Sequence, residues 1–257
     1  MPQGDPSPQS RELDRFGHGW QAAARALRGT VSVVSPHLDD AVLSLGASMA
    51  GAAGAGSDVR VLNVFAGDPA STSPASDWDA KGGYRSLGEA ARARRLEDTE
   101  ACRRLGVIPT SLAFPDDLYA QEMGDDDLWN AIAPLIEGSD LVLAPGFPLI
   151  HQDHLRLCRL LRAHVRRSRL GYYVEQPYAA WFESGFSTRR PNEREVGRLD
   201  GEWRRLRVAP WFWVAKLKAM RSYNSQMKLL HQPAKAILRY ELVRGGETVA
   251  LPAASGL

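Results

Sequence analysis

Two short stretches of the sequence concentrate side chains that could bind a metal ion or transfer a proton. The first reads P-H-L-D-D and places His37, Asp39 and Asp40 directly after the β-branched run Val31–Ser35. An imidazole and two carboxylates in one turn can supply ligands for a metal ion and a base beside it. The alternative is that Asp39 or Asp40 only caps the helix that follows.

The second stretch reads H-Q-D-H and contributes His151, Asp153 and His154. The helical pattern that begins here places His154 on the same apolar face as Cys158 and Leu161, so its side chain should point inward. A single histidine on an apolar face is usually a core residue with satisfied hydrogen bonds. Three of the six histidines in the chain lie in the two stretches, however, and this concentration favours a shared site.

Both stretches follow a predicted strand and open a predicted helix. The predicted strands are Val31–Ser35, Val59–Phe65, Thr110–Phe114 and Leu141–Ala144, and the helices between them are Asp40–Ala53, Leu87–Leu105 and Asp125–Glu137. This alternation predicts a single-domain α/β fold, Rossmann-like, with a mostly parallel sheet and helices on both faces. The carboxyl ends of parallel strands share one edge, where such folds bind ligands, so the two stretches should meet there.

The rest of the chain is assigned from composition and weaker periodicity. Residues 1–28 should form a polar N-terminal tail and a leading helix, and residues 29–257 the single domain. The long loop Ala66–Gly83 is expected to be a mobile cover of the site. The later segments are predicted as a strand at Gly171–Gln176, an aperiodic stretch from Pro177 to Pro210, a strand at Trp211–Val214, a helix at Lys216–Met227, and a final helix and edge strand at Ala234–Leu242 and Glu247–Leu251.

The charge balance argues against one class of partner. Lys and Arg number 32 against 30 Asp and Glu, a net charge of +2 that does not favour nucleic acid.

No stretch is long and apolar enough to span a bilayer, and the N-terminus has no apolar signal core, so the expected location is cytoplasmic. The two cysteines, Cys102 and Cys158, fall in helical patterns and should be reduced, buried thiols. Homo-oligomerisation stays open.

Together, the two stretches resemble the PIG-L/LmbE-like family of zinc-dependent N-deacetylases, which carries P-H-x-D-D after its first strand and H-x-D-H after its fourth. RRLEDTEACRRLGV resembles the R-x-x-E helix of that family through Arg94 and Glu97. LAFPDD resembles its L-x-F-x-D-G loop, and KLKAMRSYNSQ resembles its K-x-x-A-x-x-x-[HY]-x-S-Q segment. The resemblance extends from about Val31 to Gln226.

The resemblance implies one Zn²⁺ per chain, held by His37, Asp40 and His154, with Asp39 as the general base. These residue types suit amide hydrolysis. A zinc-bound water is a strong nucleophile at neutral pH. Two histidines and one aspartate leave an open position for that water, and a neighbouring carboxylate can take its proton.

The resemblance also implies that His151 stabilises the oxyanion or donates a proton, with Asp153 orienting it. Asp153 is close enough in sequence to hold the imidazole and raise its pKa. The tyrosine that some members carry two places before the first histidine is here Leu149, so a later tyrosine, Tyr172, Tyr173 or Tyr178, would have to replace it. The candidates for binding the sugar are Arg94, Asp68, Arg85 and Asp116.

The expected function is removal of an N-acetyl group from an N-acetylglucosamine-type conjugate, a small-molecule amino sugar, in a thiol-cofactor or antibiotic pathway. One alternative is another metal-dependent amidase that cuts a larger acyl group or a cysteinyl-sugar conjugate. A second is a catalytically silent sugar-binding relative. A nucleotide-binding module is disfavoured because the first turn carries acids where phosphate needs glycines.

Overall fold

The computed structural model describes residues 22–116, 123–185, 189–230 and 234–253 of the chain. The predicted polar tail lies outside these residues, as does Asp117 of the LAFPDD segment. Within the described part, the chain folds into one sheet covered by helices, and the predicted single-domain α/β class is confirmed.

In the part of the chain that the structure describes, the sheet has seven strands: β1 Thr30–Ser35, β2 Asp58–Asn63, β3 Ile108–Ser111, β4 Leu141–Phe147, β5 Leu170–Val174, β6 Glu202–Leu206 and β7 Glu247–Leu251. Their order is β3-β2-β1-β4-β5-β7-β6. The first five strands are parallel, and β7 runs antiparallel to both of its neighbours. The mostly parallel sheet is therefore confirmed. The prediction of an edge strand at Glu247–Leu251 is wrong, because β6 pairs with its outer side.

The described residues form eleven helices: α1 Ala22–Ala26, α2 Asp40–Gly54, α3 Asp77–Lys81, α4 Leu87–Leu105, α5 Asp125–Ile136, α6 Gln152–His164, α7 Tyr178–Glu183, α8 Glu193–Val196, α9 Pro210–Met220, α10 Asn224–Leu229 and α11 Ala234–Arg244. The predicted bounds of α4 are confirmed. Its first turn is capped by Ser86, whose side chain accepts from the backbone N–H of Glu89 at 3.2 Å, and it ends at Gly106 in the left-handed conformation. The predicted loop Ala66–Gly83 contains α3, so it is not irregular throughout.

The predicted strand Trp211–Val214 is wrong, because these residues form the first half of α9. Aromatic and β-branched residues favour strands when tertiary packing does not impose another conformation. Here Pro210 occupies the first turn, a position that suits a helix, and Phe212 packs closely against Gly51 and Gly54 of α2. Tertiary packing therefore overrides the local propensity.

Two buried apolar clusters lie on opposite faces of the sheet. Successive residues of β1 point to opposite sides, so Val33 belongs to one cluster and Val34 to the other. Cys102 and Cys158 are buried and free, one in each cluster, as predicted. Among the residues that the structure describes, no helix has both the length and the apolar character needed to cross a bilayer.

A buried charge cluster ties the C-terminal elements to α2. The Lys216 ammonium donates to Glu241 and to Glu247, each at 2.7 Å, and all three side chains are almost fully buried. Glu247 also accepts the backbone N–H groups of Ala47 and Ser48. Two carboxylates thus share one ammonium. Burial, together with the charge of Glu247, raises the pKa of Glu241 from 4.5 to about 8.

This cluster predicts a pH-dependent stability. Between pH 4.5 and about 8 the folded chain holds a proton on Glu241 that the unfolded chain releases, so this group makes the free energy of unfolding fall as pH rises. The slope from one such proton is at most about 1.4 kcal/mol per pH unit. Glu241→Gln should remove it. Urea denaturation of both proteins at pH 5.5 and 7.5 tests this, and an identical pH dependence in the variant would contradict it.

Candidate metal centre and cavity

The turns after β1 and β4, which contain or adjoin the candidate metal ligands, meet at the carboxyl edge of the central strands. β1 leads through residues 36–39 into α2, and β4 leads through residues 148–151 into α6. Because β1 and β4 are hydrogen-bonded neighbours, the His37 ring lies beside both later histidines, with centroids 4.9 Å from His151 and 5.1 Å from His154. The structure therefore brings together the two stretches that the sequence analysis singles out.

Three potential ligand atoms converge at this edge. His37 Nδ1 and His154 Nε2 each lie 3.2 Å from Asp40 Oδ2, and the two nitrogens are 3.3 Å apart. Atoms bound to zinc at about 2.0–2.2 Å in tetrahedral directions lie about 3.3–3.6 Å from one another. The spacing therefore fits one zinc-sized ion. His37, His151 and His154 form a wider group, whose nitrogens lie within 4.8 Å of one another.

Each of the two closely spaced imidazoles has its other nitrogen against a carboxylate. His37 Nε2 lies 3.0 Å from Asp153 Oδ2, and His154 Nδ1 lies 3.2 Å from Glu175 Oε2. Such partners fix the ring and its tautomer, so that the opposite nitrogen keeps its lone pair for a metal. Glu175 is fully buried and directly follows β5. Glu175 is not among the residues predicted from the sequence, although a charged residue at the end of an apolar strand is the signal that could have found it.

Glu175→Gln should weaken metal binding by about 10–100-fold, the usual cost of removing a carboxylate behind a ligating histidine. The glutamine keeps the shape but not the charge that orients His154. Competition of the protein with a chelator measures the affinity. Glu183→Gln, at an exposed glutamate of α7, is the matched control. An affinity equal to the wild type would remove Glu175 from this role.

His151 has a different environment from the one predicted. As the residue that caps α6, it accepts the backbone N–H of Asp153 on Nδ1 at 3.3 Å. The Asp153 carboxylate lies 4.0 Å from that nitrogen, farther than from His37. Burial, and then the charges of His37 and His154, lower the pKa of His151 to about 3. The charge of Asp153 does raise this pKa, as predicted, but the contributions that lower it are larger, and the imidazole to which Asp153 lies closest is that of His37.

Asp39 lies at the N-cap position of α2, but its side chain makes no capping hydrogen bond, so capping does not explain it. It is buried and lines the cavity described below. Burial, and then the charge of Asp40, raise the pKa of Asp39 well above its ordinary range. A carboxylate with a raised pKa is suited to taking and returning protons near neutral pH.

A cavity of about 400 Å³ opens over these residues, within the usual size of a small-molecule site. Arg94 lines it and forms an ion pair with the buried Asp79. With its amide oxygen turned towards the guanidinium, Gln226 accepts from Arg94 Nε at 2.6 Å. Asp116 also lines the cavity, and burial raises its pKa. Two of the four predicted sugar-binding residues, Arg94 and Asp116, thus lie at the cavity.

The structure does not place the other two, Arg85 and Asp68, in the cavity wall. The Arg85 side chain is 91% exposed and pairs with Glu89, because it precedes α4 on the outer surface. Asp68 accepts the backbone N–H of Ala70 at 2.8 Å and so serves the local turn. Their assignment to the sugar site, made from charge and proximity in sequence alone, is not supported.

The tyrosine at the site is Tyr178, which directly follows the turn after β5. Its ring lies perpendicular to that of His154, with centroids 5.3 Å apart, and it lines the cavity. The hydroxyl of Tyr173 instead donates to the backbone carbonyl of Val34 at 3.1 Å, and Tyr172 lies in the core. Of the three tyrosines considered from the sequence, Tyr178 is therefore the one available to a ligand.

The late Y-N-S-Q segment holds α4 in place behind the cavity. Tyr223 donates its hydroxyl to Asp98 at 2.6 Å, and the Ser225 hydroxyl donates to Glu97 at 2.6 Å. Gln226 accepts a hydrogen bond from Arg94, which lies on α4 one turn before Glu97 and Asp98. The R-x-x-E motif and the late segment are thus joined by hydrogen bonds, and these contacts position the guanidinium of Arg94.

The fold and the residues at its carboxyl edge define the class to which the chain belongs: a Rossmann-like α/β protein with a histidine- and aspartate-rich site. The model of the family described as "PIG-L: GlcNAc-PI de-N-acetylase" matches residues 32–165, more than half of the chain. The protein is a member of this family. No curated protein gives a significant match.

Solved structures similar to the chain include two deacetylases and a hydratase. The A40926 pseudoaglycone deacetylase Dbv21 is 26% identical, with a TM-score of 0.70 over 90% of this chain and 100% of its own. The zinc-inhibited form of teicoplanin deacetylase Orf2 is 24% identical, with a TM-score of 0.71 over 88% and 100%. GalB, the 4-carboxy-2-hydroxymuconate hydratase of Pseudomonas putida KT2440, is 16% identical, with a TM-score of 0.60 over 89% and 97%. The last two likenesses concern the fold alone.

Proposed function

We propose that the protein is a zinc-dependent N-deacetylase that removes the acetyl group from an N-acetylglucosamine-type conjugate, such as an antibiotic or thiol-cofactor precursor. The observation that carries this proposal is the convergence of His37 Nδ1, Asp40 Oδ2 and His154 Nε2 at 3.2–3.3 Å, beside a buried carboxylate. Membership of the PIG-L family and the likeness to a pseudoaglycone deacetylase support the same chemistry. Because one fold hosts several reactions, the residues at the site matter more than the fold.

In this proposal His37, Asp40 and His154 hold the ion, and the remaining residues move protons. A bound zinc ion supplies a water of lowered pKa and polarises the amide carbonyl. Asp39 accepts the proton of the attacking water and returns it to the leaving nitrogen. His151 has Nδ1 occupied as an acceptor, so Nε2 carries the proton and can donate a hydrogen bond to the developing oxyanion.

His151→Ala should retain the metal and lose mainly kcat. Removal of one oxyanion donor typically costs about 10²–10³-fold in kcat. The neutral imidazole also predicts that the loss is similar at pH 7 and pH 8.5. Metal analysis and steady-state kinetics test both points. A variant without metal would make His151 a ligand, in line with the wider three-histidine group.

The proposal is tested by acetate release from methyl N-acetylglucosaminide after loading the metal-free protein with Zn²⁺, Co²⁺, Mn²⁺ or Fe²⁺ in turn. One metal per chain and metal-dependent acetate release are expected. The metal panel is needed because a relative is known in a zinc-inhibited form. Acetate release from none of the loaded forms, with substrate binding intact, would favour the silent sugar-binding alternative. Release only of longer acyl groups would favour the other amidase.

A further inference from the structure

The part of the cavity wall that α4 contributes changes from polar to apolar towards the start of the helix. Arg94, Ala91 and Leu87 line the cavity from one face of this helix. Arg94 is the member that lies near enough to Asp39 for their charges to interact. Leu87 is seven residues earlier and therefore about 10 Å farther along the helix axis. On α4, the cavity wall on the N-terminal side of Arg94 is therefore aliphatic.

Two more apolar residues line the cavity from other elements. Trp78 comes from α3, within the long loop after β2, and Leu230 comes from the end of α10. Both side chains are partly exposed. A partly exposed tryptophan beside aliphatic groups in a cavity wall is a favourable surface for an apolar ring or chain.

Trp78 is held in a defined place. Its neighbour Asp79 is 1% exposed and forms the ion pair with Arg94, so α3 is anchored to α4 next to the tryptophan. The hydroxyl of Ser76 caps α3 by accepting the backbone N–H of Asp79 at 3.2 Å. The backbone N–H of Leu87 donates to the backbone carbonyl of Ser73 at 2.9 Å. The loop therefore presents Trp78 at a fixed distance from the guanidinium.

We propose that the substrate is an amino sugar with an apolar aglycone, and that Trp78, with Leu87 and Leu230, binds this aglycone. The inference rests on the proposed deacetylation, which fixes the scissile amide at the ion. Arg94 then lies where the hydroxyl groups of the sugar can accept its hydrogen bonds. A group that reaches beyond Arg94 must be attached through the sugar and not through the acyl carbon. The aliphatic and aromatic wall selects an apolar group there.

Two substrate series separate the aglycone from the acyl group. The first keeps the N-acetyl group and varies the glycoside from methyl to hexyl. The second keeps the methyl glycoside and varies the acyl group from acetyl to hexanoyl. In the wild type, kcat/KM should rise at least about tenfold from methyl to hexyl glycoside, because the added methylene groups are transferred from water to the apolar wall. It should not rise along the acyl series.

Trp78→Ala should bring kcat/KM for the hexyl glycoside down towards the value for the methyl glycoside, mainly through KM. Trp78→Phe keeps an aromatic surface and should restore most of the difference. Trp211→Ala, at a tryptophan that is 45% exposed on α9 and does not line the cavity, is the control and should keep the full difference.

A rise that persists in Trp78→Ala, or a preference along the acyl series alone, would overturn the assignment of the aglycone while leaving the deacetylase intact. A wild type that releases acetate from both glycosides with equal kcat/KM would do the same. Failure to release acetate from any member of either series would overturn the proposed function, and the aglycone site with it.

Discussion

Asp39→Asn is expected to keep its metal ion and to lose about 10²–10⁴-fold in kcat, the usual contribution of a general base. Asparagine has nearly the same shape as aspartate but cannot take a proton from the attacking water. Asp39 is buried beside Asp40, its side chain does not cap α2, and it lines the cavity. Its removal should therefore affect the proton transfer more than the fold.

The measurement needs metal analysis and turnover on the same preparation. Asp126→Asn, at an exposed aspartate in the first turn of α5, is a matched control that should keep wild-type turnover. Turnover close to wild type in Asp39→Asn would show that another group takes the proton. Loss of the metal in this variant would make Asp39 a ligand.

His154→Ala should greatly reduce metal affinity. The loss should exceed the 10–100-fold expected when only a carboxylate behind a ligating histidine is removed. Activity should fall together with the metal affinity. The Nε2 atom of His154 is one of three closely spaced potential ligand atoms, and alanine leaves two. His154 is also completely buried, with Glu175 against its other nitrogen. The variant would therefore leave the buried Glu175 carboxylate without its imidazole partner.

His164→Ala provides the comparison on the same helix. His164 lies at the exposed end of α6 and stacks on Trp129, with ring centroids 4.6 Å apart. Its removal should leave one metal ion per chain. Thermal unfolding of both variants separates metal loss from misfolding. An unchanged metal content in a folded His154→Ala protein would exclude His154 as a ligand.

The parts of the site that could be predicted from the sequence are those set by local patterns. A β-branched run followed by helical spacing predicts β1 and α2, and it fixes His37 and Asp40 at the end of a strand. The same pattern at β4 and α6 places His154 inward. Because parallel strands share a carboxyl edge, the meeting of the two turns follows from topology without any knowledge of distances.

Which histidine each of the carboxylates contacts could not be predicted in this way. Whether Asp153 contacts His151 or His37 depends on how two turns 116 residues apart face each other. Glu175 reaches His154 only because β5 pairs with β4 and continues past it. The helical state of Trp211–Val214 likewise depends on packing against α2. Each of these features is fixed by tertiary contacts that local sequence spacing does not encode.

The division of the cavity between elements has a consequence for protein engineering. The residues proposed to bind the ion lie in the turn after β1 and at the starts of α2 and α6, whereas Trp78 lies in α3 and Leu230 directly follows α10. Within the proposed function, substitutions at Trp78 and Leu230 are expected to alter which glycosides are accepted without disturbing the residues proposed to bind the ion. A library randomised at these two positions, screened on glycosides with different aglycones, would redirect specificity within an unchanged catalytic framework.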